Sequence, residues 1–280
     1  MTDAPAPPAA RQSDLGTRFA AGIVMAAVAI TAAYVGTWPF RVLVLAAGAV
    51  MLVEWADMHG VRRLWAWLGA ALLAGILLGG MEYFYTAGSW IDEAYVAAAM
   101  FDPNYLAFGG IAIVTLLFGL ASRSFMMGAG FLYVALPSFA LLSLSWVWET
   151  LVLWVFAVTW ATDIFAYFAG RAIGGPKIAP RISPNKTWAG LIGGAAGGAA
   201  CGWLVANWFE MEAFFQYAGG PLAVVAQAGD FFESWLKRRA GVKDSGTLLP
   251  GHGGVLDRLD GLLAVSLVTT LLLMAGLWTA

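Results

Sequence analysis

Long apolar runs, each near the length that crosses a bilayer, alternate along this chain with short polar gaps. The runs fall at 17–35, 38–56, 64–80, 104–122, 126–145, 148–169, 188–209, 219–235 and 256–278. A hydrocarbon core of roughly 30 Å needs about 20 residues of helix. The runs are too long and too evenly apolar for barrel strands, and backbone polar groups must pair internally in lipid. The pattern predicts an all-α, polytopic integral membrane protein with about nine transmembrane helices. Residues 93–102 are a candidate for a short extra interfacial helix. Residues 1–15, MTDAPAPPAARQSDL, are Pro/Ala-rich and polar, and read as a disordered tail. The first span has no clear small-residue cleavage site and is expected to be retained. Residues 16–280 then form one transmembrane domain with no separate soluble unit.

Composition sharpens the membrane reading. Hydrophobic residues make up 61% of the chain, mean hydropathy is +0.77, and only 11% is charged. Soluble domains run near ~25% charged. A net charge of −2 gives no bulk attraction to nucleic acid, so no nucleic-acid partner is expected. Cys201 is the single cysteine, which excludes an internal disulfide and a Cys-rich metal site. Neither GxxxxGK[ST] nor GxGxxG occurs, so soluble P-loop and dinucleotide folds are excluded.

Charge then orients the spans. With the N-terminus in the cytoplasm, the cytoplasmic segments are the tail, 57–63, 121–125, 170–187 and 236–255. They, with Arg258 at the edge of the last span, hold every Lys and Arg except Arg41. That is the positive-inside bias. The expected location is the cell (inner) membrane, multi-pass, with both large basic loops facing the cytoplasm.

The densest charged island is Ser234–Asp260. It holds five of the fifteen Lys and Arg, and one of the two histidines. On a helix over 219–238, Asp230, Ser234 and Arg238 share one face at i, i+4, i+8. Asp257 and Asp260 share a face at the start of the next span. An acid inside a membrane end is costly unless paired or bound to a cation. Hard oxygens from two helices beside phosphates make a natural Mg²⁺ site. The competing reading is a set of interfacial ion pairs, Asp257 with Arg258 and Asp230 with Lys237. Between the helices lie Lys237, Arg238, Arg239 and Lys243, which either anchor the helix end or meet anions. Pro250-Gly-His-Gly-Gly254 follows. Backbone N–H groups at Gly253 and Gly254 suit phosphate oxygens, and His252 can donate to a phosphate or leaving group.

A second constellation is Asp163, Tyr167, Gly170 and Arg171, followed by Lys177 and Ser183-Pro-Asn-Lys-Thr187. Asp163 either helps hold a cation or accepts hydrogen bonds from another helix. Thr187 can cap the next helix, and Lys186 would point at whatever sits by that helix start, a favourable place for phosphate. Glu54 and Asp57 lie near Arg62 and Arg63 and are expected to form interfacial salt links, the alternative being that they line the site. Gly193/Gly197 and Gly194/Gly198 have the spacing of close helix contacts, either within one subunit or at a dimer seam.

Ser234–Asp260 resembles, position for position, the signature of the phosphatidate cytidylyltransferases: S-x-hydrophobic-K-R, four residues, K-D-x-small, then Leu-Pro-x-H-G-G-hydrophobic-x-D-R-hydrophobic-D. Here it reads S-W-L-K-R, R-A-G-V, K-D-S-G, T-L-L-P-G-H-G-G, V-L-D-R-L-D. The Asp163…Tyr167…Gly170-Arg171 stretch and Ser183-Pro-Asn-Lys-Thr-Trp-Ala-Gly190 are similar to a second region of that family. There Asn185 and Ala189 fall at variable positions. The resemblance covers roughly residues 150–265.

The resemblance implies transfer of CMP from CTP to phosphatidate, giving CDP-diacylglycerol and pyrophosphate. It also implies Mg²⁺ with a potassium ion beside it, a homodimer, and a cytoplasm-facing cavity open to membrane lipids. On that basis 16–280 is a catalytic domain with active-site loops at 170–187 and 236–255. Asp230 and Asp257 are the expected metal ligands, with Asp260 and Asp163 assisting or holding the second cation. Lys237, Arg238, Lys243 and Arg258 would neutralise phosphates. His252, Gly253 and Gly254 would shape the triphosphate pocket, and Ser183, Lys186 and Thr187 would close it. Ser234, Tyr167 and Arg171 complete the expected substrate contacts. Two rivals are a CTP-dependent polyprenol or dolichol kinase-like transferase, needing the same cation site, and a transporter. Transporters place their sites near the midplane, whereas these charges gather at cytoplasmic ends.

Overall fold

The chain folds, in a computed structural model that describes residues 12–90, 103–248 and 253–277, as a bundle of helices carrying one small hairpin. The helices are α1 (Gln12–Val35), α2 (Thr37–Met58), α3 (Arg63–Trp90), α4 (Pro103–Ser122), α5 (Phe125–Val147), α6 (Glu149–Ala172), α7 (Trp188–Trp208), α8 (Ala213–Arg239) and α9 (Leu256–Met274). Each coincides with one expected apolar run. Residues 1–11 of the expected tail and the candidate helix at 93–102 lie outside the described residues. Three helices differ in length from expectation: α1 already begins at Gln12, α3 runs on to Trp90, past the run 64–80, and α8 is longer at both ends than the run 219–235.

Among the described residues, five helical segments are long and apolar enough to cross a membrane: Trp38–Met58, Arg63–Gly80, Phe125–Val147, Glu149–Ala172 and Trp188–Trp208. Shorter apolar segments occur at Ala21–Val35 and Leu106–Ser122. α8 and α9 are not among the five. They carry Asp230, Glu233, Lys237, Asp257, Arg258 and Asp260, which interrupt their apolar surface. Leu116, Leu117, Leu120, Ile192 and Leu204 stand exposed on the outside of the bundle. A surface that apolar is what a membrane-embedded bundle presents to lipid.

The interior is built at the crossing of α2, α5, α6, α8 and α9, where Leu52, Trp55, Phe131, Trp154, Val155, Leu256 and Val265 are essentially inaccessible. Side-chain donors tie helices across this core, as is usual where water cannot serve. Trp154 Nε1 donates to Gly202 O at 2.9 Å, Trp55 Nε1 to Met126 O at 2.7 Å and Gln227 Nε2 to Leu191 O at 3.1 Å. Ser266 and Thr270 on α9 donate to Pro137 O and Ala140 O of α5.

α6 and α7 lie closest together. A Cβ on Gly193 would sit 2.2 Å from Ala169 Cβ, and one on Gly197 would sit 2.4 Å from Phe165. On the other glycine pair, a Cβ at Gly194 would meet Gln227 and Thr162, and one at Gly198 would meet Ala223. Both glycine pairs are thus spent on packing within the chain.

The segment 170–187 departs from an all-α reading. It forms an antiparallel hairpin of β1 (Lys177–Ala179) and β2 (Ser183–Thr187), with Lys177 opposite Thr187, Ala179 opposite Ser183, and an irregularity between. Local chemistry accounts for it. Gly174 and Gly175 take positive φ and end the helical region, Pro180 sits in the turn, and Pro184 biases Ser183 towards extended backbone.

Gly193→Ala is expected to destabilise the detergent-solubilised protein by about 1–3 kcal/mol through overpacking. Gly79→Ala, where a Cβ meets nothing within 4 Å, should be neutral or slightly stabilising. Thermal unfolding of the two variants checks the contrast.

Candidate active site

Four elements bring charge to one end of the bundle: the last turns of α8, the first turn of α9, the hairpin, and the end of α2. At the centre is Lys237. Its ammonium pairs with Asp257 Oδ1 across the loop and with Glu233 Oε2, one turn back on α8, at 3.3 Å. All three side chains are nearly inaccessible, at 11%, 6% and 1% exposure. The second oxygen of Asp257 accepts from Ser245 N at 2.9 Å and Gly254 N at 2.8 Å. One carboxylate therefore fixes a lysine and both flanks of the glycine-rich loop.

The loop tolerates little added bulk. Gly253 has φ +82°, and a Cβ there would lie 2.6 Å from Asp257 Oδ2. A Cβ on Gly254 would lie 2.2 Å from Ser245 Oγ. His252, expected to be catalytic, lies outside the described residues, as does the rest of 249–252.

The hairpin supplies the second wall. Lys186 forms an ion pair with Asp230 and stands 4.3 Å from the centroid of the Phe231 ring. Ser234 Oγ donates to Asp230 Oδ1 at 3.4 Å. Arg238 reaches across to the hairpin, with Nε donating to Ile182 O at 3.4 Å, and Nη1 donates to Val242 O at 2.9 Å. Arg238 thus clips the hairpin to the loop that follows α8. Lys243 is exposed beside it, and Ser183 opens β2 at the same edge.

The ion pairs are real, but their partners are exchanged relative to both readings of the sequence. Asp257 holds Lys237, and Asp230 holds Lys186 rather than Lys237. Asp257 also does not stand open beside Asp230, because its oxygens already accept from three donors. Thr187 lies buried beneath the hairpin, where its hydroxyl accepts from Gly190 N at 3.0 Å and caps α7. This is the expected cap, and it engages that oxygen at the helix start. Tyr167 and Arg171 pair with each other at 3.3 Å on an exposed face of α6. Arg258 is exposed and within electrostatic reach of Asp163.

Two acids change meaning. Asp57 takes Arg63 in a two-pronged pair, 2.8 Å on each oxygen, as expected for an interfacial link. Glu54 does not join it. It turns inward, 5% exposed, and accepts from Val255 N, Leu256 N and Ser245 Oγ. Glu233 was not anticipated at all. Its only sequence signal is the i, i+4 spacing to Lys237, which reads as an ordinary helix-surface pair.

For a divalent cation, the donor chemistry fits. Both carboxylate oxygens of Glu233 are buried, and Oε2 faces the Lys237 ammonium at 3.3 Å. Asp260 lies within electrostatic reach of Glu233 and Asp230, and Asp163 within reach of Asp230. These are hard oxygens of the kind Mg²⁺ takes. Among the described residues no three His, Cys, Asp or Glu side chains are gathered into a cage, so substrate oxygens would complete any shell.

A bundle of apolar helices with a lysine- and carboxylate-lined site at one end defines a class: polytopic membrane proteins that handle polar groups at the bilayer edge. Residues 16–275 match the cytidylyltransferase family, and the chain belongs to that family. It is 39% identical over 277 residues to the phosphatidate cytidylyltransferase of Brucella abortus (biovar 1, strain 9-941), covering 91% of each chain. It is 32% identical over 269 residues to that of Bacillus subtilis, covering 90% of this chain and 95% of the relative. For the Pseudomonas aeruginosa enzyme the figures are 33% over 242 residues, 81% and 84%.

Lys237→Met leaves two buried carboxylates without their cation and is expected to cost about 3–5 kcal/mol of stability. Lys186→Met breaks a more open pair, with side chains 22% and 35% exposed, and is expected to cost no more than about 1 kcal/mol. Chemical unfolding in detergent ranks the two, and a reversed order would refute this assignment of partners.

Proposed function

We propose that this protein transfers CMP from CTP to phosphatidate, forming CDP-diacylglycerol and pyrophosphate for phospholipid synthesis. The observation that carries it is the signature segment itself. In a chain of this family, Ser234–Asp260 is pinned by the Lys237–Asp257 pair beside the lysine-bearing hairpin.

The chemistry suits that arrangement. A phosphate oxygen of phosphatidate attacks the α-phosphorus of CTP. The new P–O bond joins the two phosphates while the bond from the α-phosphorus to its β-bridging oxygen breaks, and pyrophosphate leaves with that electron pair. The nucleophile is already anionic at neutral pH, so no general base is required. What the protein must supply is position and neutralising charge. Lys186, Arg238 and Lys243 line one side of the loop for this purpose, with Arg258 at the start of α9. Gly253 and Gly254 shape the pocket, with the Gly254 N–H held by Asp257, and His252 belongs to it by sequence. Lys237 is buried between two acids, so its part is to hold the loop.

The cofactor proposed is Mg²⁺, with K⁺ as a second cation. When bound, the metal neutralises charge on the transferring and departing phosphates. Asp230, Asp260, Asp163 and Glu233 are the available oxygens, with Asp257 entering if Lys237 releases it. Lys186 and Asp230 neutralise each other without substrate. An arriving phosphate can take the lysine, leaving the carboxylate for a cation.

The remaining parts of the reading follow from charge and family. All nine helices are proposed to cross the membrane, α8 and α9 with their ionic ends inside the protein. The N-terminus and the site face the cytoplasm, the basic side. Two copies are proposed to form a homodimer, and the acyl chains of phosphatidate to enter from the lipid side.

The direct test incubates the purified protein in detergent with Mg²⁺, CTP labelled at the α-phosphate, and either phosphatidate or a polyprenol. Label should enter a lipid only with phosphatidate, and pyrophosphate should appear in equal amount. No α-label in a phosphatidate-derived lipid would remove the proposal. Chelation should abolish transfer and added Mg²⁺ restore it. Asp257→Asn should lower the rate at least ~100-fold, the scale of losing a group that positions charge at a reacting centre. Full activity in that variant would remove Asp257 from the site.

A further inference from the structure

We infer that Glu54, from α2 in the N-terminal half, positions the nucleotide loop and is required for CTP binding. This rests on the reading that the flanks of the loop, at Lys243 and at Gly253 and Gly254, contact CTP. Its side chain is buried far from its neighbours in sequence and serves the loop from behind. Oε1 accepts from Val255 N at 2.8 Å, and Oε2 accepts from Leu256 N at 2.9 Å and Ser245 Oγ at 3.2 Å. Val255 and Leu256 begin α9, so the carboxylate meets unpaired N–H groups at a helix start, where negative charge is favoured. Its partners among the described residues are N–H and O–H groups, not cations.

Ser245 connects this contact to the site. Its N–H donates to Asp257 while its hydroxyl donates to Glu54. The loop is therefore held between two carboxylates, one from α9 and one from α2. The fit is close on both flanks: a Cβ on Gly246 would lie 2.7 Å from Glu54 Oε1, and one on Gly254 would lie 2.6 Å from Oε2. Glutamine cannot replace this carboxylate. Its amide has one acceptor oxygen, and its NH₂ would face an N–H or O–H donor.

The test uses the full-length protein in detergent with Mg²⁺, CTP and phosphatidate. Glu54→Gln is expected to raise the KM for CTP by roughly 10–100-fold, the range seen when a supporting hydrogen-bond partner is lost. The KM for phosphatidate should change little. Hydrogen exchange of the amides at 253–257 should accelerate. Ser245→Ala removes one of the donors and should move both readouts in the same direction by less. It carries the same test should Glu54→Gln fold poorly. Unchanged exchange in both variants would overturn the positioning role whatever the kinetics. Accelerated exchange with an unchanged KM for CTP would leave Glu54 holding the loop but overturn both its role in CTP binding and the reading of the loop as the CTP site. A general loss of stability without the split between the two KM values would also overturn the inference.

Discussion

The Asp257 carboxylate is the contact on which the rest of the site depends. It accepts from a lysine of α8 and from two backbone N–H groups on either side of the glycine-rich loop. A buried charge is tolerated only when its hydrogen-bonding capacity is filled. Here the filling also closes the loop, because the three donors come from three places in the chain. Helix α8, the residues after it and the start of α9 cannot separate without stranding that charge. The hairpin is then added from outside, through Arg238 to Ile182 and Lys186 to Asp230.

The helical frame was legible because lipid enforces it. Apolar runs of membrane-spanning length leave few alternatives, and all nine described helices fall on runs read from the sequence. The hairpin at 177–187 was less legible. Strand pairing over so few residues leaves almost no periodicity, and the signals that explain it, two glycines and two prolines, equally mark an irregular loop. The glycine spacing in α7 was ambiguous for another reason. Pattern shows that close approach occurs, not what approaches; the partners are Ala169, Phe165 and Ala223.

The candidate site divides along the same line. Residue types and region were legible from the island of charge, and the family resemblance made them specific. Pairings were not, since they depend on long-range geometry. Lys237 has acids on two helices within reach, and it takes Asp257 and Glu233 together. Glu54 shows the limit most plainly. With Asp57 and two arginines a few residues away, local reading gives a surface salt link. The helix turns Asp57 outward to Arg63 and Glu54 inward to a loop some two hundred positions later. Nothing in the local pattern distinguishes the two acids, because only the packing of α2 against α9 decides which faces in.

That inward turn gives the N-terminal half a stake in chemistry that the signature alone would assign to the C-terminal half. Phosphate-binding loops need backbone N–H groups held in one direction, and a glycine-rich loop supplies the groups without supplying the rigidity. Rigidity must come from outside the loop. Asp257 provides it from one side, but a single anchor leaves the loop free to pivot about the α9 start. Glu54 meets that start directly and shares Ser245 with Asp257. Two fixed carboxylates that share Ser245 hold the loop at two points rather than one. Both are masked by donors of the protein, so neither presents bare charge to repel a triphosphate. Glu233 on α8 stands 3.3 Å from the same lysine that holds Asp257, so Lys237 ties the two helices together as well as the loop.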